Sequence, residues 1–238
     1  MYRIITLITI SVSLNLSAFD HSYATYGQLL DKYVKDGNVD YESMIGSPDL
    51  QSISALFASV DSNRFNRFSL DERIAFLVNA YNFHTIELIV QHLPLKNGIR
   101  DIPKPWDTAF IPLFGGKISL NHIEHDLLRK KYNEPRIHFA LVCASKSCPE
   151  LYGKPFTPFN LDRQLDNAGK RFLHDSSRNR IKGKTVYLSR IFKWYAADFN
   201  SRYKGGFREY VGSVLGIPIV TYKITFLPYD WSLNRVQK

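Results

Sequence analysis

The chain is poor in sulfur, with two cysteines and two methionines among 238 residues. Two cysteines allow one pairing, so the fold must rest on a hydrophobic core rather than on a disulfide framework. A glycine-rich phosphate loop is missing, and so is a Gly-x-Ser-x-Gly elbow, which removes the P-loop and nucleophile-elbow chemistries. There is no internal repeat, low-complexity tract or long linker. Beyond the first eighteen residues no run is long and apolar enough to cross a bilayer. Acidic charge is the scarcer sign, with 22 Asp and Glu against 31 Lys and Arg, a formal net charge of +9. That excess is spread from Lys32 to Lys238, apart from Arg129-Lys130-Lys131, and no nucleic-acid motif accompanies it. The expected role is a solvated basic surface, with no nucleic-acid partner.

What is present begins with a targeting pattern. Arg3 gives a short positive start, Ile4 to Leu16 is mostly apolar, and Ser17-Ala18 supplies small residues before a cleavage point. Residues 1–18 are expected to be a signal peptide and residues 19–238 a single exported domain, periplasmic or secreted. No stable membrane span is expected once the leader is gone. The composition is 45% hydrophobic and 22% charged, enough to bury a full core.

Several elements are legible. Tyr26 to Val34 and Leu50 to Val60 read as amphipathic helices. Ser69-Leu70-Asp71-Glu72 is a capping box that opens a helix running to about His92, where Leu93-Pro94 ends it. That helix is apolar on nearly every side and is expected at the centre. Asn79 and Asn82 interrupt it on neighbouring positions of one face; buried amides need partners, so they hold a loop or line a binding site. Ser119 caps a helix from Leu120 to about Lys130, Ile137 to Val142 reads as a buried strand, and Leu161 to His174 as a helix. Lys184 to Leu188 and Tyr222 to Leu227 read as strands, and Ile191 to Phe199 and Phe207 to Leu215 as helices. Helices first and strands later predict an α+β domain: a helix-rich N-terminal half on a small, mainly antiparallel sheet.

The chemistry-bearing residues gather in a short span. On a helical wheel Leu120, Ile123, Leu127 and Leu128 form one apolar stripe, and Glu124 falls at about 40°, inside it. A buried carboxylate needs a partner or a proton. His138 is the natural partner, and a carboxylate on one ring nitrogen raises the basicity of the other, as a cysteine nucleophile requires. Cys143 lies closer in sequence to His138. Cys148 precedes Pro149, which favours a helix start, and a helix N-terminus stabilises a thiolate. The spacing leaves the choice open, and it equally allows the two to pair as a disulfide. His122-x-x-His125 offers two imidazoles on one side, but no third ligand completes a metal set, so no metal or other cofactor is expected.

In order, Phe76-Leu77-Val78-Asn79-Ala80-Tyr81-Asn82, Leu120-Asn121-His122-Ile123-Glu124-His125, Pro135 to Cys143, Ser147-Cys148-Pro149 and Tyr229-Asp230-Trp231-Ser232-Leu233-Asn234 resemble the motifs of the DUF547 family. The likeness runs from about Tyr26 onward. It implies a distant kinship with papain-like or transglutaminase-like cysteine enzymes, hence a papain-like fold by analogy and a Glu124, His138, Cys143 site. Some relatives lack the second cysteine, which implies Cys143 as nucleophile and leaves Cys148 as the alternative nucleophile or disulfide partner. The expected activity is hydrolysis or transfer at an amide or thioester of a peptide, acyl or small-molecule substrate. The alternatives are a non-catalytic binding domain clamped by a Cys143–Cys148 disulfide, and a thiol redox protein.

Overall fold

A computed structural model describes residues 18–237. The leader expected over residues 1–18 lies outside them, apart from Ala18. Helix α1 (Ala24–Tyr33) buries Tyr26, Leu29, Leu30 and Tyr33, the i, i+3, i+4, i+7 spacing of one helix face. A hairpin of β1 (Val34–Lys35) and β2 (Asn38–Val39) follows. Helix α2 (Pro48–Ala58) starts with Pro48 behind Ser47, whose hydroxyl accepts the Asp49 N–H. The short α3 (Ser62–Arg67) is capped by Asp61 and was not legible in the sequence.

Helix α4 (Leu70–His92) is the central element. Its capping box closes from both sides: the Ser69 hydroxyl accepts the Glu72 N–H, and the Glu72 carboxylate accepts the Ser69 N–H. Every residue from Ile74 to Ile86 is buried, which explains why no polar stripe appears along it. Leu93 takes extended backbone before Pro94 and the helix stops there.

A second hairpin, β3 (Ile111–Leu113) with β4 (Gly116–Ile118), leads into the next helical stretch. From His122 to Arg129 this stretch winds as a π-helix, a rare form that recurs at functional sites. The expected strand over Ile137 to Val142 is instead a 3₁₀ turn, Pro135–Phe139, followed by irregular chain. The reason is local. Pro135 fixes φ at the first turn position, and the Glu134 carboxylate accepts the Arg136 N–H at 3.0 Å and grips its guanidinium.

Helix α5 (Leu161–His174) follows, then β5 (Arg180–Lys182) and β6 (Thr185–Leu188). The helix expected over Ile191 to Phe199 is two, α6 (Ile191–Trp194) and α7 (Ala196–Arg202), broken at Tyr195. Helix α8 (Gly206–Leu215) and β7 (Lys223–Phe226) complete the order. β5 and β6 pair antiparallel, and β6 and β7 pair parallel in the register Thr185 to Lys223. The fold is α+β, as expected, but among the described residues the strands form three small sheets rather than one.

Two apolar clusters hold the chain. The larger surrounds α4; the smaller fills the space between α5, α7, α8 and the three-stranded sheet. Ile137 and Ala140 to Val142 belong to the larger cluster, whereas Phe139 belongs to the smaller. The segment bearing His138 therefore threads the seam between two cores.

Candidate functional site

Asn82 positions this segment. Its Nδ2 donates to the Ala140 carbonyl at 2.8 Å, and its Oδ1 accepts the Val142 N–H at 2.9 Å. Asn79 does the same for Phe156, donating to its carbonyl at 2.7 Å and accepting its N–H at 2.9 Å. Both amides are spent on backbone. Of the two uses the sequence allowed them, they serve as loop anchors, and neither lines the cavity described below.

His138 is buried and lies flat on Tyr195, with ring centroids 3.7 Å apart. Its Nε2 is 2.7 Å from Asp198 Oδ2. Asp198 also receives Arg129 in a two-pronged pair, Nε to Oδ2 at 2.6 Å and Nη2 to Oδ1 at 2.8 Å. Burial works against ionisation of Asp198, but the bonds from His138 and Arg129 outweigh it and hold the carboxyl well below its usual range. An ionised Asp198 only accepts, so His138 carries its proton on Nε2. Burial in turn lowers the His138 pKa, against the pull of Asp198 and Glu124. The imidazole is therefore neutral at pH 7, with its lone pair on Nδ1.

Glu124 was expected as the direct partner of His138. It is buried in the apolar stripe as the wheel predicts, beside Ile123, Leu127 and Leu128. Its Oε1, however, lies 4.0 Å from His138 Nδ1, beyond a hydrogen bond. Asp198, which the sequence reading missed, holds the ring instead, and Glu124 faces the lone-pair side. Burial, and then the charge of Glu124, push the Tyr81 and Tyr195 phenols above their ordinary value.

Cys143 and Cys148 form a disulfide, with Cα atoms 6.2 Å apart. It closes a turn in which Ala144 takes φ 60°. Cys148 Sγ accepts the Cys143 N–H at 3.0 Å and the Tyr229 hydroxyl at 3.2 Å. Ser145 Oγ donates to Tyr229 at 3.2 Å. Burial raises the Tyr229 pKa to about 12, so it remains a donor at neutral pH. Arg178 braces the loop through the carbonyls of Cys148 and Lys146. Cys148 is buried and Cys143 is half-buried. Among the described residues neither sulfur hydrogen-bonds His138.

These groups face one cavity of about 300 Å³, whose wall carries Glu124, His138, Cys143 and Cys148. The volume is at the low end for small-molecule sites. The rest of the wall is largely aromatic: Tyr81, Tyr195, Tyr229 and all three tryptophans of the chain, Trp106, Trp194 and Trp231. The Asn121 N–H donates to the Trp106 carbonyl at 2.9 Å, which ties that tryptophan to the start of the π-helix region. Gly98, at φ 91°, lies under the Trp231 carbonyl where a Cβ would collide. His122 and His125 do not converge on an ion; His122 pairs with Asp126 at 3.0 Å and His125 Nδ1 lies 3.0 Å from Arg129. Among the described residues no three His, Cys, Asp or Glu side chains are grouped to share a metal.

The class thus defined is an α+β domain with an aromatic cavity whose wall carries a disulfide and His138, the imidazole backed by Asp198 and Arg129. Residues 65–173 match the family model described as "Protein of unknown function, DUF547". No curated protein matches the chain, and no solved structure does. The matched span includes Glu124, His138, Cys143 and Cys148 but not Asp198 or the last two tryptophans.

Proposed function

We propose that the cavity is the active site of a thiol-dependent acyl reaction, hydrolysis or transfer at an amide or thioester, run once an external dithiol has reduced the Cys143–Cys148 bridge by thiol–disulfide exchange and has itself been oxidised to a disulfide. The observation that carries this reading is the orientation of His138. Its Nε2 is fixed on Asp198, its basic Nδ1 is on the side of Glu124, and the ring lines the same cavity as both cysteines. Cys143 is the nucleophile, being the less buried of the two. Its thiol proton passes to Nδ1 as the C–S bond forms. The imidazolium then stands between Glu124 and Asp198, which stabilise it, and it returns the proton to the leaving amine or thiol as that bond breaks. Water, deprotonated by the same nitrogen, releases the acyl group; a second amine or alcohol in its place gives transfer.

A second reading is favoured by the disulfide itself. With both sulfurs bonded, the cavity is a non-catalytic binding pocket and the Cys143–Cys148 bridge shapes its wall. We place the mature protein in the periplasm or outside the cell. The bridge and the lack, among the described residues, of any helix long and apolar enough to cross a membrane are compatible with that.

One experiment separates the readings. Protein with and without dithiothreitol treatment is assayed against a panel of acyl thioesters and p-nitroanilides, with intact mass to count thiols. The acyl reading expects turnover only after reduction, lost in Cys143→Ser and in His138→Gln. Reduced protein that turns over none of the panel, with unchanged ligand binding, leaves the binding reading.

A further inference from the structure

The cavity wall has a chemistry that the acyl reaction does not use. Trp106, Trp194, Tyr229 and Trp231 form a continuous aromatic patch, with Trp194 to Tyr229 centroids 4.8 Å apart and Tyr229 to Trp231 4.6 Å apart. Trp231 meets Trp106 edge-on at 5.7 Å. Trp194 is 43% exposed, too open for a side chain that serves only as core. The cavity lining contains no lysine or arginine, two imidazoles, His125 and His138, and one acidic side chain, Glu124. Behind it, the Arg129 charge is bound to Asp198, and His138 is neutral. The one carboxyl side chain of this aromatic chamber is therefore Glu124, beside the Tyr81 and Tyr195 phenols. The patch already attracts cations from outside, since the Arg100 guanidinium lies 5.5 Å from the Trp231 ring centre. Aromatic faces with one buried carboxylate suit a weakly hydrated cation, by cation–π attraction and charge pairing in low dielectric.

We propose that the cavity binds a small organic cation, an alkylammonium group whose charge meets Glu124 and whose carbon shell packs on the tryptophan wall. This rests on the cavity being the functional site, and it specifies a substrate or ligand that carries such a group. It needs no free thiol, so it is tested on the disulfide-bonded protein.

Every tryptophan lines the cavity, so intrinsic emission reports occupancy directly. The probe is choline chloride at constant ionic strength, against 3,3-dimethylbutan-1-ol, which has the same shape without the charge. The expected result is a saturable emission change with choline and binding of the neutral probe weaker by about tenfold or more. Glu124→Gln should weaken choline about tenfold and leave the alcohol unchanged. Trp194→Leu, at an exposed position where folding is not at stake, should weaken choline about fivefold. The proposal is overturned by an alcohol that binds as tightly as choline, by Glu124→Gln or Trp194→Leu protein that binds choline like the parent, or by no saturable change up to about 50 mM. Choline binding without thiol-dependent turnover removes the acyl reading and leaves this one; turnover without choline binding does the reverse.

Discussion

Replacing Asn82 by alanine should damage both the fold and the site, and the size of the effect follows from two hydrogen bonds. The side chain is buried and satisfies the Ala140 carbonyl and the Val142 N–H together. Alanine leaves both backbone groups buried without partners. Each costs about 1–3 kcal/mol, so the loss is about 4 kcal/mol, a large part of the roughly 5–15 kcal/mol that holds a domain. At this chain length each kcal/mol moves the melting temperature by about 2–4 °C, which gives a fall of about 10 °C. Asn82→Asp should cost a similar amount. It keeps an acceptor for Val142 but presents a second oxygen to the Ala140 carbonyl and buries a charge. The assay is urea denaturation followed by tryptophan emission, with thermal melting alongside. A loss below about 1 kcal/mol for Asn82→Ala would refute the reasoning, because it would mean that the segment carrying His138 and Cys143 is not held by this amide.

Other predictions concern charge, pH and the cavity wall. The folded-state pKa of His138 is lowered by burial, so between that value and the unfolded value near 6.5 the unfolded chain binds more protons. Stability should therefore be complete above about pH 6.5 and fall as the pH drops through that window; His138→Gln should flatten the slope there in chemical denaturation at stepped pH. Asp198 is depressed as well, so its contribution is present above about pH 3.9 and is lost below, as the pH approaches its folded value. Asp198→Asn removes the anion that fixes the imidazole tautomer, and in reduced protein it should slow any acyl turnover by about a hundredfold while KM changes little. Gly98→Ala forces a Cβ against the Trp231 carbonyl at a positive φ, so it should destabilise the chain and shift tryptophan emission before any ligand is added.

Much of the frame was legible because its signals are local. Ser69 and Glu72 cap each other within one turn, Pro94 stops α4, and α5 begins and ends at the residues its pattern marks. Glu124 could be placed inside the apolar stripe because its four apolar neighbours are on the same helix, and its burial survives even though that helix winds as a π-helix. The strand expected around His138 failed for an equally local reason. Apolar runs of this length do not distinguish a strand from other buried chain, and here the Glu134 and Pro135 start a 3₁₀ turn. The partners of His138 were out of reach for a different reason. Asp198 is a single acidic residue 60 positions away, on a helix whose break at Tyr195 has no glycine or proline to announce it. The aromatic wall likewise collects Trp106, Trp194 and Trp231 from three separate segments, and no spacing joins them. Asp198 beside Phe199, at the end of the helix expected over Ile191 to Phe199, was the one available hint.

The central claim is that His138, fixed by Asp198, activates the Cys143 thiol. It is tested most directly by the pH dependence of iodoacetamide alkylation of the reduced protein, with the modified residue identified by peptide mass. The account predicts that Cys143 is labelled about tenfold or more faster than free cysteine at pH 7, and that His138→Gln brings the rate back to that of an ordinary thiol with a pKa near 8.5. Labelling of Cys143 no faster than free cysteine, or unchanged by His138→Gln, contradicts it.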